Sequence, residues 1–277
     1  TRVWAAEPVD TELPKHNVTW TTPSTGVTAS MPIGNGRVAA LVWAEKGGDL
    51  MVSVATGDSW DENARSIRTG NVRFALTPNP FASGKPFQQV LDYKNAEITF
   101  KVGDSPATTL RVWVDANQPV VHVEASAATA FQLKATPELW RTARQDVSQN
   151  VPWKDFIHVA KDVSSNTSTL KVELMPDIWV TNLPGKVGWY HRNDTSHWAA
   201  TMTNQSIDVA AFGVKDPLTF RTMGATVQGT NLAPSGHDLV AAEAQTKFRV
   251  DIAAHTNITD KAETWVSEMD GVGSAVF

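Results

Sequence analysis

The sequence of 277 residues contains no cysteine, which excludes disulfide bonds and cysteine-ligated metal sites. Long hydrophobic runs are missing too, because charged residues and glycine interrupt each apolar stretch before it is long enough to span a bilayer. Positive charge is in the minority: 24 Lys and Arg residues stand against 29 Asp and Glu, for a net charge of −5. We therefore expect neither nucleic acid nor a membrane as a partner.

A helical period is absent until the C-terminal end, and short apolar or alternating runs occupy most of the chain. Turn clusters such as Pro78–Pro80 and Ala233–Gly236 separate these runs. Many short strands between close turns predict an all-β fold, a β-sandwich or a β-barrel, over residues 1–258. The predicted strands are Val38–Trp43, Leu50–Ala55, Val72–Leu76, Glu97–Val102, Thr109–Val114, Val120–Ala125, Phe131–Ala135, Thr169–Leu174, Trp198–Thr203, Ile207–Ala211, Leu218–Met223 and Lys247–Ala254.

The end of the sequence has a different pattern, which predicts a short helix over Asp260–Asp270. Asp260 is the expected N-cap, and Glu263 follows at the spacing of a capping box. Because so short a helix is marginal alone, its apolar face needs a partner surface. We expect residues 259–277 to begin a linker helix toward a second domain. The apolar face would consist of Ala262, Trp265 or Val266, and Met269.

Five Asn-x-Ser/Thr triplets fit a secreted, extracellular glycoprotein. The chain also begins at Thr1, without an initiator Met or an apolar leader, as a mature secreted protein would, although a trimmed chain accounts equally for that start. We expect Asn193 to be unglycosylated and turned toward a partner surface. If the source is eukaryotic, glycans are expected at some of Asn17, Asn166, Asn204 and Asn257, which lie in polar, turn-like sequence.

The stretch Val187–Trp198 combines three aromatic rings, two histidines, an arginine and two amide or acid side chains. Such a mixture is suited to sugar recognition, since C–H faces stack on rings while hydroxyl groups take hydrogen bonds from polar side chains. The alternative is a corner where a strand leaves its sheet and the aromatic rings fill the end of the core. The sequence leaves both interpretations open.

Carboxylates surround one tryptophan in the segment Gly57–Asn63. Two carboxylates are what glycoside hydrolysis requires, but carboxylates so close in sequence are more often turn formers or an ion site. His122 and Glu124 would share a strand face as an acid–base pair or, more simply, as two solvated side chains. Met31–Arg37, with its Gly-Asn-Gly, is interpreted as a turn that leads into a strand.

Several motifs, taken in order along the chain, are similar to one known family. They are Pro32–Arg37, Gly57–Glu62, Leu110–Asp115, Glu138–Arg141 and Trp189–Asn193. Together they resemble the N-terminal domain of glycoside hydrolases similar to the family 95 α-L-fucosidases, and more narrowly the DUF5703 N-terminal domain. The resemblance extends from about Thr28 to the terminal helix.

This resemblance implies a large β-supersandwich of the galactose mutarotase-like type, followed by a linker helix and an (α/α)6 barrel that carries the catalytic carboxylates. Because the sequence ends where the barrel would begin, no catalytic residue is assigned in this chain, and no cofactor or metal is expected. The residues expected to bind substrate or face the barrel are Asp58, Trp60, Asp61, Trp189, Tyr190, His191, Arg192 and Asn193.

The leading functional hypothesis is therefore a non-catalytic N-terminal domain of a secreted glycoside hydrolase. Its expected partners are a C-terminal catalytic barrel of the same protein and carbohydrate. A free-standing carbohydrate-binding module is the second hypothesis, and a mutarotase-like sugar epimerase is the third. The terminal helix favours the first over the second, and the lack of a clear pair of catalytic histidines with a glutamate disfavours the third.

Overall fold

The computed structural model describes residues 9–82, 84–146, 173–211 and 213–272. Strands dominate these ranges and form two antiparallel sheets that share one long strand, β9. The first sheet has the spatial order β1 (Val18–Trp20), β6 (Phe87–Asp92), β7 (Glu97–Val102), β8 (Thr108–Val114), β9 (Val120–Glu138), β17 (Gln245–Ile258), β14 (Arg221–Gly229), β13 (Val187–Arg192) and β12 (Ile178–Val180).

The second sheet is built on the C-terminal half of β9. It contains, in spatial order, β2 (Met31–Gly34), β3 (Val38–Ala44), β4 (Leu50–Thr56), β5 (Gly70–Thr77), β9, β16 (Asp238–Ala241) and β15 (Leu232–Ser235). β9 changes sheets after Ser126, which is its last residue paired with β8. Phe131 is the first buried residue in the half of β9 that belongs to the second sheet. A separate ribbon pairs β10 (Gln145–Asp146) with β11 (Glu173–Leu174).

The core lies between the two sheets and follows the alternation of the strands. In β8, Leu110 and Val112 are fully buried, whereas Arg111 between them is exposed. In β5, Val72 and Phe74 are buried in the same cluster from the opposite sheet. One face of each strand therefore packs on the core, which gives a large two-sheet sandwich. The predicted all-β supersandwich is confirmed.

Three α-helices occur within the described ranges, α1 (Val9–Glu12), α2 (Trp198–Asn204) and α3 (Ala262–Gly271), with 3-10 turns at Leu13–His16 and Val27–Ala29. None of the described helices is long and apolar enough to cross a membrane. α3 packs its buried Trp265 and Met269 against Val120 and Ala253 on the outer face of the first sheet. The predicted terminal helix is confirmed, and it covers part of the sandwich.

The predicted cap of this helix is wrong. Lys261 is the N-cap and makes no side-chain cap hydrogen bond, while the carbonyl of Asp260 accepts a hydrogen bond from Arg192 at 3.1 Å. Asp260 is therefore held by the sheet before the helix begins. Its backbone, rather than its side chain, joins the helix to the sandwich.

Most of the predicted strands are present, two are wrong, and Leu218–Met223 overlaps β14 only from Arg221 onward. Trp198–Thr203 lies in α2 instead, and Ile207–Ala211 forms no strand. Two adjacent alanines in the first of these segments favour a helix, and alternation over so few residues does not outweigh them. The predicted strands Val120–Ala125 and Phe131–Ala135 are two parts of β9. Thr169–Leu174 lies mostly outside the described residues.

Candidate functional site

The aromatic stretch forms β13, and its central ring belongs to the core. Trp189 has no exposed surface, and its indole Nε1 donates a 2.8 Å hydrogen bond to the carbonyl of Thr69, just before β5. Trp189 also meets Trp179 edge-on, with the ring centroids 6.2 Å apart. A ring buried on every side offers no stacking face, so the predicted role of Trp189 in substrate contact is corrected to one of joining the two sheets.

His191 lies two residues farther along the same face of β13 and is also buried. Its Nε2 lies 2.9 Å from Oε2 of Glu62, and its Nδ1 lies 3.2 Å from Oδ1 of Asp177. Arg141 donates from Nε to the same Asp177 oxygen at 2.7 Å. We call Glu62, Arg141, Asp177 and His191 the buried ion network. It joins four separate segments of the chain, so His191 serves the fold instead of facing a substrate.

The charges of the buried ion network balance when His191 is protonated. Burial alone would lower the pKa of His191, but the hydrogen bonds to Asp177 and Glu62 outweigh it and raise that pKa. Burial would raise the pKa of Glu62, yet the contacts with His191 and the backbone N–H of Met175 lower it. An imidazolium can donate from both ring nitrogens, as the two carboxylates require. Two cations then face two anions, which offsets part of the cost of burying them.

Arg192 is held by the chain itself and offers no free donor face to a substrate. Its guanidinium donates to the Oγ1 of Thr222 at 2.7 Å and to the carbonyl of Asp260 at 3.1 Å, and it pairs with Asp194 at 3.1 Å. The predicted substrate contact is thus corrected. Arg192 ties β13 to β14 and to the start of the terminal helix.

Asn193 points inward. Its side chain is fully buried, and its Nδ2 donates to the carbonyls of Trp60 at 2.9 Å and Leu218 at 3.1 Å. The predicted orientation of Asn193 toward a partner surface is wrong for this reason. Because the atom that would carry a glycan is enclosed and hydrogen-bonded, the absence of a glycan at Asn193 stays our prediction.

Tyr190 lies on the opposite face of β13, under α3. Its ring is 5.5 Å from that of Trp265, and burial raises the pKa of its hydroxyl group. Tyr190 is half-buried, so it contributes mainly to the packing of the terminal helix on the first sheet. A role in contacting a second domain stays a prediction.

The segment Gly57–Asn63 is a structured turn with one exposed ring. The Oδ1 of Asp61 accepts the backbone N–H groups of Asn63 and Arg65 at 3.0 and 2.9 Å, and its Oδ2 pairs with the guanidinium of Arg65 at 2.6 Å. Asp61 therefore has the turn-forming role that was the alternative to catalysis. Trp60 is 40% exposed and Asp58 is also exposed, so both remain available to a ligand or partner.

A cleft lies directly over Arg141 of the buried ion network. We call it the Trp140 cleft; its volume is about 510 Å³. Trp140 is 42% exposed, and the guanidinium carbons of Arg68 and Arg141 lie 4.9 and 5.1 Å from its ring centroid. The lining residues are Arg65, Ser66, Ile67, Arg68, Trp140, Arg141, Ala143, Gln145 and Leu174.

Trp140 was not among the predicted site residues, although it lies in one of the motifs that carry the family resemblance. A tryptophan and an arginine directly after a strand end are a usable signal, because loops at strand ends form binding clefts. β9 ends at Glu138 and places Trp140 at the rim, while the loop between β4 and β5 supplies Arg65 and Arg68.

His122 and Glu124 on β9 were expected to form an acid–base pair or, more simply, to be two solvated side chains. For His122 the expectation of a solvated side chain is wrong. His122 is buried, with Nδ1 2.7 Å from Oδ1 of the equally buried Asp251 and its ring 4.9 Å from that of Trp113. Glu124 forms an ion pair with Lys247 at 3.0 Å. The two side chains are thus occupied by separate partners, Asp251 for His122 and Lys247 for Glu124.

The Gly-Asn-Gly motif is the turn between β2 and β3, as expected. Gly36 has a φ of +87°, which glycine adopts without strain. The Oδ1 of Asn35 accepts the backbone N–H groups of Arg37 and Val38, and its Nδ2 donates to the carbonyls of the turn before β9. The motif therefore joins the two sheets at one turn.

The side chains of two predicted glycan acceptors can be described. The side chain of Asn257 is exposed and donates to Glu268 at 3.0 Å, and the half-buried Asn17 accepts the backbone N–H of Tyr93 at 2.9 Å. Asn204 ends α2, and Asn166 lies outside the described residues. Within the described ranges, no group of three or more potential ligand side chains is placed to hold a metal ion.

The fold and the site define an all-β sandwich domain with a buried ion network beneath an aromatic cleft. Residues 19–275 match the family described as Domain of unknown function (DUF5703). The chain therefore belongs to the DUF5703 N-terminal domain family, as its motifs predicted. No curated protein matches it.

Solved structures were also compared with the chain. One of them, described as a kojibiose phosphorylase from the human microbiome, is similar at 9% sequence identity and a TM-score of 0.42. The match covers 96% of this chain and 33% of that protein, so the chain spans about a third of its length.

Proposed function

We propose that this chain is the non-catalytic N-terminal sandwich domain of a secreted glycoside hydrolase similar to family 95, and that the Trp140 cleft contacts carbohydrate. One observation carries the proposal: the half-exposed ring of Trp140 at the rim of a 510 Å³ cleft that polar side chains line. An indole face packs against the C–H groups of a sugar ring, while guanidinium groups donate to its hydroxyl oxygens.

The arrangement of carboxylates supports a non-catalytic role. A general acid or nucleophile must reach the bond that is broken. Among the described residues that line the Trp140 cleft, none carries a carboxylate. Three buried acid side chains, those of Asp61, Glu62 and Asp177, already hold Arg65, His191 and Arg141. Catalytic carboxylates would then come from a second domain, as the family resemblance implies.

A second, apolar groove beside the cleft supports a partner domain. It has a volume of about 370 Å³ and is lined by residues of β2, β3 and β4 together with Arg68, which also lines the Trp140 cleft. Pro32, Ala39 and Leu41 give it an apolar floor on the outside of the second sheet. Apolar surface of this kind is stabilised when a partner covers it. The catalytic barrel of the same protein is our proposed partner.

A free-standing carbohydrate-binding module is the second candidate, because the Trp140 cleft alone would suit it equally well. The intact mass of the native protein separates the two. A mass well above the 30.1 kDa of this chain supports the hydrolase domain, whereas a mass near that value supports the module. A sugar epimerase is disfavoured, since His122 is enclosed by Asp251 and Trp113.

The experiment that tests the proposal replaces Trp140 in the native-length protein. Trp140→Ala should raise KM about tenfold, which corresponds to about 1.4 kcal/mol of lost binding, and should leave kcat nearly unchanged. Tyr93→Ala is the matched control, because Tyr93 is similarly exposed, at 46%, in the turn between β6 and β7. Equal KM values in the two variants would contradict a carbohydrate contact at Trp140.

A further inference from the structure

The Trp140 cleft is positively charged although the chain as a whole is acidic. Three guanidinium groups, those of Arg65, Arg68 and Arg141, line it, whereas the net charge of the chain is −5. The cleft therefore differs in sign from the average surface. Such a local reversal favours an anionic ligand.

Only part of this positive charge is neutralised within the protein. Arg65 pairs with Asp61 at 2.6 Å, and Arg141 pairs with Asp177 at 2.7 Å. The carboxylate side chains of both acids are buried, so these pairs are fixed parts of the cleft wall. The two ion pairs keep their guanidinium groups in place whether or not a ligand is present.

Arg68 is the exception. Its side chain is exposed, it donates to the Oγ of Ser53 at 3.3 Å, and it lies over the Trp140 ring. Within the described part of the chain, no carboxylate lies at ion-pair distance from it. Glu173, an acid beside the cleft, is paired with Arg144 instead. Arg68 thus keeps a guanidinium edge for an external anion, held against an aromatic ring that suits a sugar.

We infer that the Trp140 cleft binds an acidic saccharide, with the sugar ring on Trp140 and its carboxylate or sulfate group on Arg68. The inference rests on the proposed function and narrows its substrate class. A guanidinium binds either anion through two parallel hydrogen bonds, which a neutral hydroxyl group does not match. A carboxylate is planar and a sulfate ester is tetrahedral, but each presents two oxygen atoms to the guanidinium edge. The structure therefore favours the charge and leaves the choice of group to measurement.

The test is calorimetric titration of the protein with two matched pairs of probes. One pair is tetragalacturonate and its methyl ester, and the other is a sulfated carrageenan tetrasaccharide and its chemically desulfated form. At least one acidic probe should bind, and its neutral counterpart should bind at least tenfold more weakly. Which pair responds distinguishes a uronate from a sulfate ester. Affinity should fall as salt is added.

Variants connect that binding to Arg68. Arg68→Gln should weaken the acidic probe about tenfold or more, because a charge-assisted hydrogen bond is lost, and Arg68→Lys should fall between it and the wild type. Lys101→Gln is the control: it removes one charge from an exposed position on β7, in the other sheet. Since Arg68 is exposed, the core is untouched, and equal melting temperatures would verify that the variants fold.

The outcomes separate this inference from the proposed function. Neutral and acidic probes that bind equally, with loss in Trp140→Ala but not in Arg68→Gln, would overturn the inference and leave the carbohydrate contact intact. Failure of every acidic probe to bind would also overturn it, as would inorganic sulfate that binds as tightly as the saccharides. Unchanged KM in Trp140→Ala, by contrast, contradicts the proposed function itself.

Discussion

Replacement of Trp189 should destabilise the sandwich strongly, because this side chain joins the two sheets. It has no exposed surface, and its Nε1 donates to the carbonyl of Thr69. Trp189→Ala would leave a large cavity and an unpaired buried carbonyl, at a cost of about 4 kcal/mol in the free energy of unfolding. Trp189→Phe keeps most of the packing but loses the hydrogen bond, and should cost about 2 kcal/mol.

A neighbouring glycine allows a sharper test of the same packing. A Cβ atom added to Gly70 would lie 2.8 Å from Nε1 of Trp189 and 2.9 Å from its Cζ2. Gly70→Ala should therefore be destabilising in the wild type, because a fully packed indole ring has no room to move. In the Trp189→Phe background the clash is relieved, so the two substitutions should couple by about 1 kcal/mol or more.

Urea denaturation of the four proteins in this cycle, together with Trp189→Ala, measures both effects. Exposed Trp60→Phe is the control and should change the unfolding free energy by less than about 0.5 kcal/mol. Trp189→Ala within about 1 kcal/mol of the wild type would refute the assignment of Trp189 to the core. Additive effects of Gly70→Ala and Trp189→Phe would refute the packing geometry.

Three further predictions concern the buried ion network and its surroundings. The pKa of His191 is raised above 6.5, so its contribution to stability is complete below pH 6.5 and is lost as pH rises through the folded value. The pKa of Glu62 is lowered below 4.5, so its contribution is complete above pH 4.5 and is lost as pH falls through the folded value. The melting temperature should therefore be highest between pH 4.5 and pH 6.5. A pH profile of the melting temperature that His191→Gln leaves unchanged would contradict the pairing of His191 with Glu62. Arg192→Met should lower the free energy of unfolding, measured in urea, by about 2 kcal/mol. An unchanged free energy of unfolding would contradict a stabilising role for the hydrogen bonds of Arg192 to β14. In a glycosylating host, mass spectrometry of the folded protein should find Asn17 more often modified than Asn193, and a fully occupied Asn193 would contradict its burial.

Much of the fold could be predicted because the strands bury one face. Glu97–Val102 is a strand with the predicted bounds, and the alternation within Lys247–Ala254 places Phe248 and Val250 in the core. The prediction of a strand at Trp198–Thr203 was wrong because these six residues fit both the strand period and the helix period. Local helix propensity decided between the two structures. Short segments of this kind depend on neighbours that the sequence does not reveal.

The aromatic stretch was harder to interpret because β13 is buried on both faces. The core covers Trp189 and His191 on one side, while α3 and the strand ends cover Tyr190 and Arg192 on the other. Polar residues then occur at buried positions, and the usual alternation disappears. The alternative that the stretch fills the end of the core agrees better with the structure than direct sugar recognition does.

The candidate site could be predicted only in part because its contacts are distant in sequence. Glu62 and His191 are separated by 129 positions, and Asn63 donates to the carbonyl of Glu173, 110 positions away. Sequence spacing carries no information on such pairs. The Gly57–Asn63 segment was nevertheless identified as unusual from its carboxylates and amide. Two of these side chains, Glu62 and Asn63, make the long-range contacts.

The carbohydrate contact at the Trp140 cleft is tested most directly by the indole Nε1–H NMR signal of Trp140 in the ¹⁵N-labelled protein, assigned by its loss in Trp140→Phe. During titration with neutral and acidic tetrasaccharides, this signal should shift with saccharide concentration. The signal of buried Trp189, which donates to Thr69, should stay in place as an internal control. A Trp140 signal that no saccharide moves, or that moves no more than that of Trp189, would contradict a carbohydrate contact at the cleft.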